Sequence, residues 1–112
     1  MSESNLLENI RKIRSSAELV YKNKDYTSAT ILTFKLAFSV LDLLLLRSEG
    51  RTPKDHSERF RMLERARPDL YRFLDKYFRV YQDTYSTSID KQICDEVRRN
   101  VQAIMEREGI GA

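Results

Sequence analysis

Tryptophan is absent from this chain, and cysteine and histidine occur once each, as Cys94 and His56. A lone cysteine excludes an internal disulfide, and with one distant histidine it falls short of the ligand set of an ordinary zinc site. No metal or other cofactor is expected. Glycine and proline are scarce as well, at three and two residues in 112. Sheet-rich chains of this size need more turn residues. The same scarcity removes any glycine-rich phosphate loop or dinucleotide fingerprint, and no strained turn is offered to a serine nucleophile. The opening Met1-Ser2-Glu3-Ser4-Asn5 has no basic-then-apolar leader order. The longest apolar stretch is interrupted by Lys35, Ser39 and Asp42 and reads as shorter than the ~20 residues of a membrane span. A cytosolic protein with no membrane partner is the expectation.

What is present is 41% apolar, 33% charged and 10% aromatic residues, the composition of a compact helical protein that forms one domain over residues 1–112. The net charge of +3 is too small to announce a nucleic-acid partner by itself. Its distribution says more. Between Arg51 and Arg79, nine basic residues face five acidic ones, so the middle third carries the surplus. A solvated helix surface is the ordinary explanation of such a run.

Apolar periodicity gives five helices and no competing strand pattern. Leu6, Ile10, Ile13, Ala17, Val20 and Tyr21 mark one face of a first helix over residues 5–22, capped by Ser4 or Asn5. Asp25 caps a second helix over residues 26–48, whose later half is apolar on nearly every side. Such a helix must be surrounded by protein, and three neighbours in a small bundle would leave part of it for a second subunit. Ser28, Lys35, Ser39 and Asp42 share one stripe of it. That stripe is either its solvent face or a polar strip turned towards a site beside His56. Glu49-Gly50 ends the helix.

Thr52-Pro53 or, one turn later, Asp55 then starts a third helix, with Phe60, Leu63 and Ala66 on its apolar face and His56 on the same side. Pro68 restarts the chain as a fourth helix bearing Leu70, Phe73, Leu74, Tyr77, Phe78 and Tyr81. Ser88 or Asp90 caps a fifth, with Ile93, Cys94, Val97, Val101, Ile104 and Met105 inward, and residues 108–112 should fray. The fold class is all-α, an antiparallel up-and-down bundle of four to five helices.

One constellation reads as chemistry: Arg51, four intervening residues, and His56 at a helix start. RNA cleavage without a metal needs a base for the ribose 2′-hydroxyl, an acid for the leaving oxygen and a cation for the charged phosphorane. Histidine can fill either proton role, and arginine's fork suits phosphate oxygens. A symmetric dimer would supply the second histidine. The spacing alone is common, and a lone histidine at a helix start is ordinarily a cap or a packed side chain. Tyr77 and Tyr81 read as core, Cys94 as a small buried residue, and Arg79 as a solvated helix arginine. Tyr85, beyond the aromatic stripe, is a candidate for lining a groove.

The order of three segments resembles the HEPN superfamily of small helical domains, over residues 17–105. "KDYTSATILTFKLAFSVLDLLLLRSEG" looks like that family's long second helix. "RTPKDHSERFRML" looks like its Arg-x4–6-His motif running into the third, and "FRVYQDTYSTSIDKQICDEVRRNVQAI" like its closing pattern. The resemblance implies a homodimer with paired motifs at the interface. In active members it implies metal-independent endoribonuclease chemistry, here with Arg51 and His56 as catalytic residues. Lys54, Arg59, Tyr85 and Lys35 would then meet the substrate. Many relatives are toxins paired with a nucleotidyltransferase antitoxin. Two positions depart from the pattern: Thr52 follows the arginine where active members often carry Asn, Asp or His, and Glu58 stands where the toxin branch has a tyrosine that the antitoxin modifies. Both weigh against strong nuclease activity, and the second against AMP transfer to that position. Three readings follow: an endoribonuclease toxin, a non-catalytic module binding RNA, a nucleotide or a partner protein, and a structural dimer whose histidine only caps the third helix.

Overall fold

The computed structural model describes residues 2–111, and among them the secondary structure is wholly helical. Five helices follow in order: α1 (Glu3–Lys22), α2 (Tyr26–Glu49), α3 (His56–Ala66), α4 (Pro68–Asp83) and α5 (Lys91–Arg107). Their ends follow the local chemistry. Asp25 accepts from the Ser28 amide at the start of α2, and Gly50 closes that helix in the left-handed conformation at φ 78°, which glycine adopts without a Cβ clash. Asp90 caps α5 through the Ile93 amide, and Pro68 opens α4 at its first turn. The cap of α1 is Ser2, which accepts from Asn5, one turn earlier than the spacing of apolar residues indicates.

α2 is the axis of the molecule. At 24 residues it is long and apolar enough to cross a bilayer by length and composition, contrary to the sequence reading. Its apolar side chains are nonetheless covered within the chain. Phe34, Leu43 and Leu45 are fully buried, and Phe38 and Leu44 nearly so, in a core shared with α1, α3, α4 and α5. Four neighbours suffice, so the apolar surface of α2 does not by itself call for a second subunit.

The helices do not alternate strictly up and down. α1 runs antiparallel to α2, since Arg47 near the end of α2 pairs with Glu3 at the start of α1. α3 runs parallel to α2: His56 lies against Phe38, Arg59 pairs with Asp42, and Arg65 reaches Glu49. Residues 50–55 make the return. Eleven helical steps from Phe38 to Glu49 rise about 16 Å, and the six residues of the return can span at most about 20 Å, enough to carry the chain back beside α2. Pro53 is buried within this return, and the helix cap is Asp55, accepting from the Glu58 amide at 2.8 Å, rather than Thr52. α4 then reverses direction and α5 reverses again, ending parallel to α2 with Ile89 bound to Thr27.

α1 and α5 border each other antiparallel, and polar rungs join them. Tyr21 donates to Asp95, Arg98 to Glu18, and Arg14 to Gln102, one rung per helical turn. One apolar assignment shifts, since Ile93 is exposed; Leu19, which lies off the apolar face of α1, is exposed as well. Residues 108–111 do not fray as the composition of 108–112 suggests, and Ala112 lies outside the described residues. Arg67 grips Glu108 with two hydrogen bonds, Ile110 is buried, and Arg14 donates to the Gly111 carbonyl.

Candidate functional site

The site forms where the start of α3 returns to the middle of α2 and meets the end of α4. His56 is the first helical residue of α3, and the capping task belongs to Asp55. The imidazole is therefore free to pack. Its ring centroid lies 4.8 Å from Phe38, 5.3 Å from Phe78 and 5.7 Å from Tyr81. These rings come from two different helices, and the stripe of α4 that sequence periodicity marks as core supplies two of them. Phe60, four residues on in α3, meets Phe78 as well. His56 thus has one face on an aromatic bed while the residue as a whole remains exposed.

Arg59 closes the inner side. Although an arginine, it is only 8% exposed. Its Nε donates to Asp42 Oδ1 at 2.7 Å and its Nη2 to Asp42 Oδ2 at 3.0 Å, a two-pronged ion pair that fixes orientation as well as charge. Nη1 donates to His56 Nδ1 at 2.7 Å, and the guanidinium carbon lies 4.9 Å from the Phe38 ring centroid. Every polar group enclosed here is satisfied, as burial requires. The imidazole titrates below the ordinary histidine value, first because burial against the rings penalises the charged form and then because the Arg59 charge repels it; Asp42 and Asp55 oppose the shift and Lys35 adds to it.

The outer side is open. Tyr85 is 77% exposed, and its hydroxyl meets that of Tyr81 at 2.9 Å with the rings edge to face. That hydroxyl contact is the main reason the Tyr81 phenol titrates above its usual value, followed by burial. Lys35 is exposed on α2, one turn before Phe38 and two before Asp42, so the polar stripe of α2 turns partly towards His56 rather than only to solvent.

The structure brings His56, Arg59, Lys35 and Tyr85 to one corner, whereas Arg51 is engaged by a carboxylate. The Arg51 guanidinium is held by Glu58 at 2.8 Å. Glu58 also accepts from the Lys54 amide at 3.2 Å, which ties the return segment to the first turn of α3; the Lys54 side chain is exposed. Glu58 thus has a structural use. Sequence reasoning placed Asp42 on a stripe facing either solvent or the site without giving it a role, and did not anticipate a buried Arg59. A signal existed for each: an aspartate amid the leucines of α2, and an arginine three residues after the histidine.

Chemically, the corner offers a neutral imidazole, an aromatic surface with one exposed phenol, and a cation at its edge. Among the described residues no cluster of three or more His, Cys, Asp or Glu could hold a metal ion. Cys94 lies apart, buried beside Thr30, with burial pushing its thiol up. Comparison with family models, with curated proteins and with solved structures returned no match to this chain.

Proposed function

We propose that this chain is a HEPN-like, cytosolic module that binds single-stranded RNA or a nucleotide at the His56 corner. One observation carries the reading: the exposed His56 packs on Tyr81, whose ring also meets the exposed Tyr85, and the Lys35 charge is felt at the same imidazole. Single strands are held by such combinations, in which bases stack on aromatic rings while cations follow the phosphates. Acid–base catalysis is disfavoured in this arrangement. The Nδ1 lone pair is used by Arg59, and Arg51, the residue that would steady a phosphorane, is neutralised by Glu58. The three sequence motifs support the HEPN assignment, and with it a homodimer that would bring two such corners together.

A second reading, the metal-independent endoribonuclease toxin with Arg51 and His56 as catalytic residues, draws support from the lowered imidazole pKa, since a general base must be unprotonated near neutral pH. It requires Arg59 to leave Nδ1 and Arg51 to leave Glu58. A nucleotidyltransferase partner acting on the position of Glu58 is not part of either reading. The deciding assay incubates single-stranded RNA with wild type, His56→Ala and Arg51→Ala in excess chelator. The binding module predicts retention of intact RNA that weakens steeply with salt. Cyclic phosphate ends made by wild type and lost in both variants would overturn it in favour of the nuclease.

A further inference from the structure

We propose that Asp42 and Arg59 are positioning residues that lock His56 as the tautomer with its proton on Nε2, so that the site presents a fixed hydrogen-bond donor and selects ligands by an acceptor oxygen. A guanidinium has donors only and stays charged at every accessible pH. Its 2.7 Å contact with Nδ1 therefore requires the lone pair there, and the single proton of a neutral imidazole must sit on Nε2. The opposite tautomer would set two N–H groups against each other at that distance.

The lock holds because Arg59 has nowhere else to go. Asp42 takes Nε and Nη2 and leaves Nη1 aimed at His56. The guanidinium lies over Phe38, the same ring that His56 packs against, and Arg59 is nearly closed to water. The charged and titratable groups around the imidazole are Lys35 and Asp42 from α2, Asp55 and Arg59 from α3, and Tyr81 from α4. Among them Arg59 is the group hydrogen-bonded to the ring. A phosphate oxygen or a base carbonyl suits an Nε2–H donor; an N–H group of a base does not. The ligand class rests on the function proposed above, whereas the lock itself does not.

His56 is the only histidine, so its two ring nitrogens can be assigned without ambiguity by nitrogen NMR on the full chain. In ligand-free wild type at neutral pH, Nδ1 should appear unprotonated and Nε2 protonated. Arg59→Lys, whose single ammonium cannot grip both Asp42 oxygens and reach Nδ1, should give a tautomer mixture and a histidine pKa moved up towards the free value. Asp42→Asn, checked for folding by circular dichroism, should loosen the lock in the same direction. Adding oligouridylate to wild type should shift the Nε2–H resonance with the tautomer unchanged, and Arg59→Lys should bind it about twofold more weakly, in proportion to the share of the mixture that lacks the Nε2 proton. A free-histidine mixture or Nδ1 protonation in wild type overturns the proposal without help from any variant, as does an unchanged tautomer and pKa in Arg59→Lys. An intact lock with no oligouridylate response overturns the donor's role in ligand selection and counts against the proposed function.

Discussion

Two places in this molecule combine an arginine, a carboxylate and an aromatic ring, and they do different things. At the α1–α5 seam, Arg98 lies 3.6 Å from the Tyr21 ring centroid and pairs with Glu18, while Tyr21 donates to Asp95. At the His56 corner, Arg59 lies over Phe38 and pairs with Asp42. Half of the Glu18 side chain remains exposed, against 17% of Asp42. Water therefore competes for the seam pairs and screens them, so they serve as rungs between two helices. The enclosed pair at the corner meets far less water, and it also has a third group to orient, His56. The same residue types give a fastening in one setting and a chemically defined site in the other. Burial makes the difference.

The largest expected effect comes from breaking the enclosed pair. Arg59→Ala leaves the Asp42 carboxylate largely buried without its partner and should lower stability by about 3 kcal/mol, read from urea unfolding. The matching change at the seam, Arg98→Ala, should cost about 1 kcal/mol or less, because an exposed pair and one ring contact are lost. If the two costs are equal, enclosure is not what distinguishes the regions. Smaller still, Tyr21→Phe removes one hydroxyl bond from the seam and should cost about 0.5–1 kcal/mol, leaving RNA binding unchanged.

Acidity sharpens the contrast further. The imidazole pKa is lowered in the folded chain from an ordinary value of 6.5. As pH falls below 6.5, the unfolded chain takes up a proton that the native state resists, so stability declines across that window and levels off below the folded pKa. Urea midpoints at pH 7.5 and pH 5.5 should therefore differ in wild type and converge in His56→Gln. The carboxylates held down by cations, among them Asp69 and Glu108 through Arg67 and Asp95 through Lys91, lose their contribution at lower pH, through and below the ordinary carboxylate range. The two windows can be separated.

Much of the fold is legible in the sequence because its signals are local. Asp25, Gly50, Pro68 and Asp90 mark helix ends by their own side chains and backbones, and the apolar spacing of α4 identifies its buried Leu70, Leu74, Tyr77 and Tyr81. What is not legible depends on distant partners. A six-residue link that begins with Gly50 serves a hairpin as well as a return, so the parallel course of α2 and α3 cannot be read from its length. Glu108, Ile110 and Gly111 look like a fraying end until Arg67 and Arg14 are brought to them. At the site, His56 stands out as the only histidine, while Arg59 looks like any helical arginine until the fold places Asp42 beside it.

The central claim is that the His56 corner, and not the seam, is where this protein meets its ligand. Chemical-shift mapping with oligouridylate tests it most directly, because both regions report in one experiment. The account predicts that Lys35, His56 and Tyr85 respond while Arg14, Arg98 and Arg99, which line a groove between α1 and α5, stay still. A response confined to the groove, or none at low salt, would contradict it.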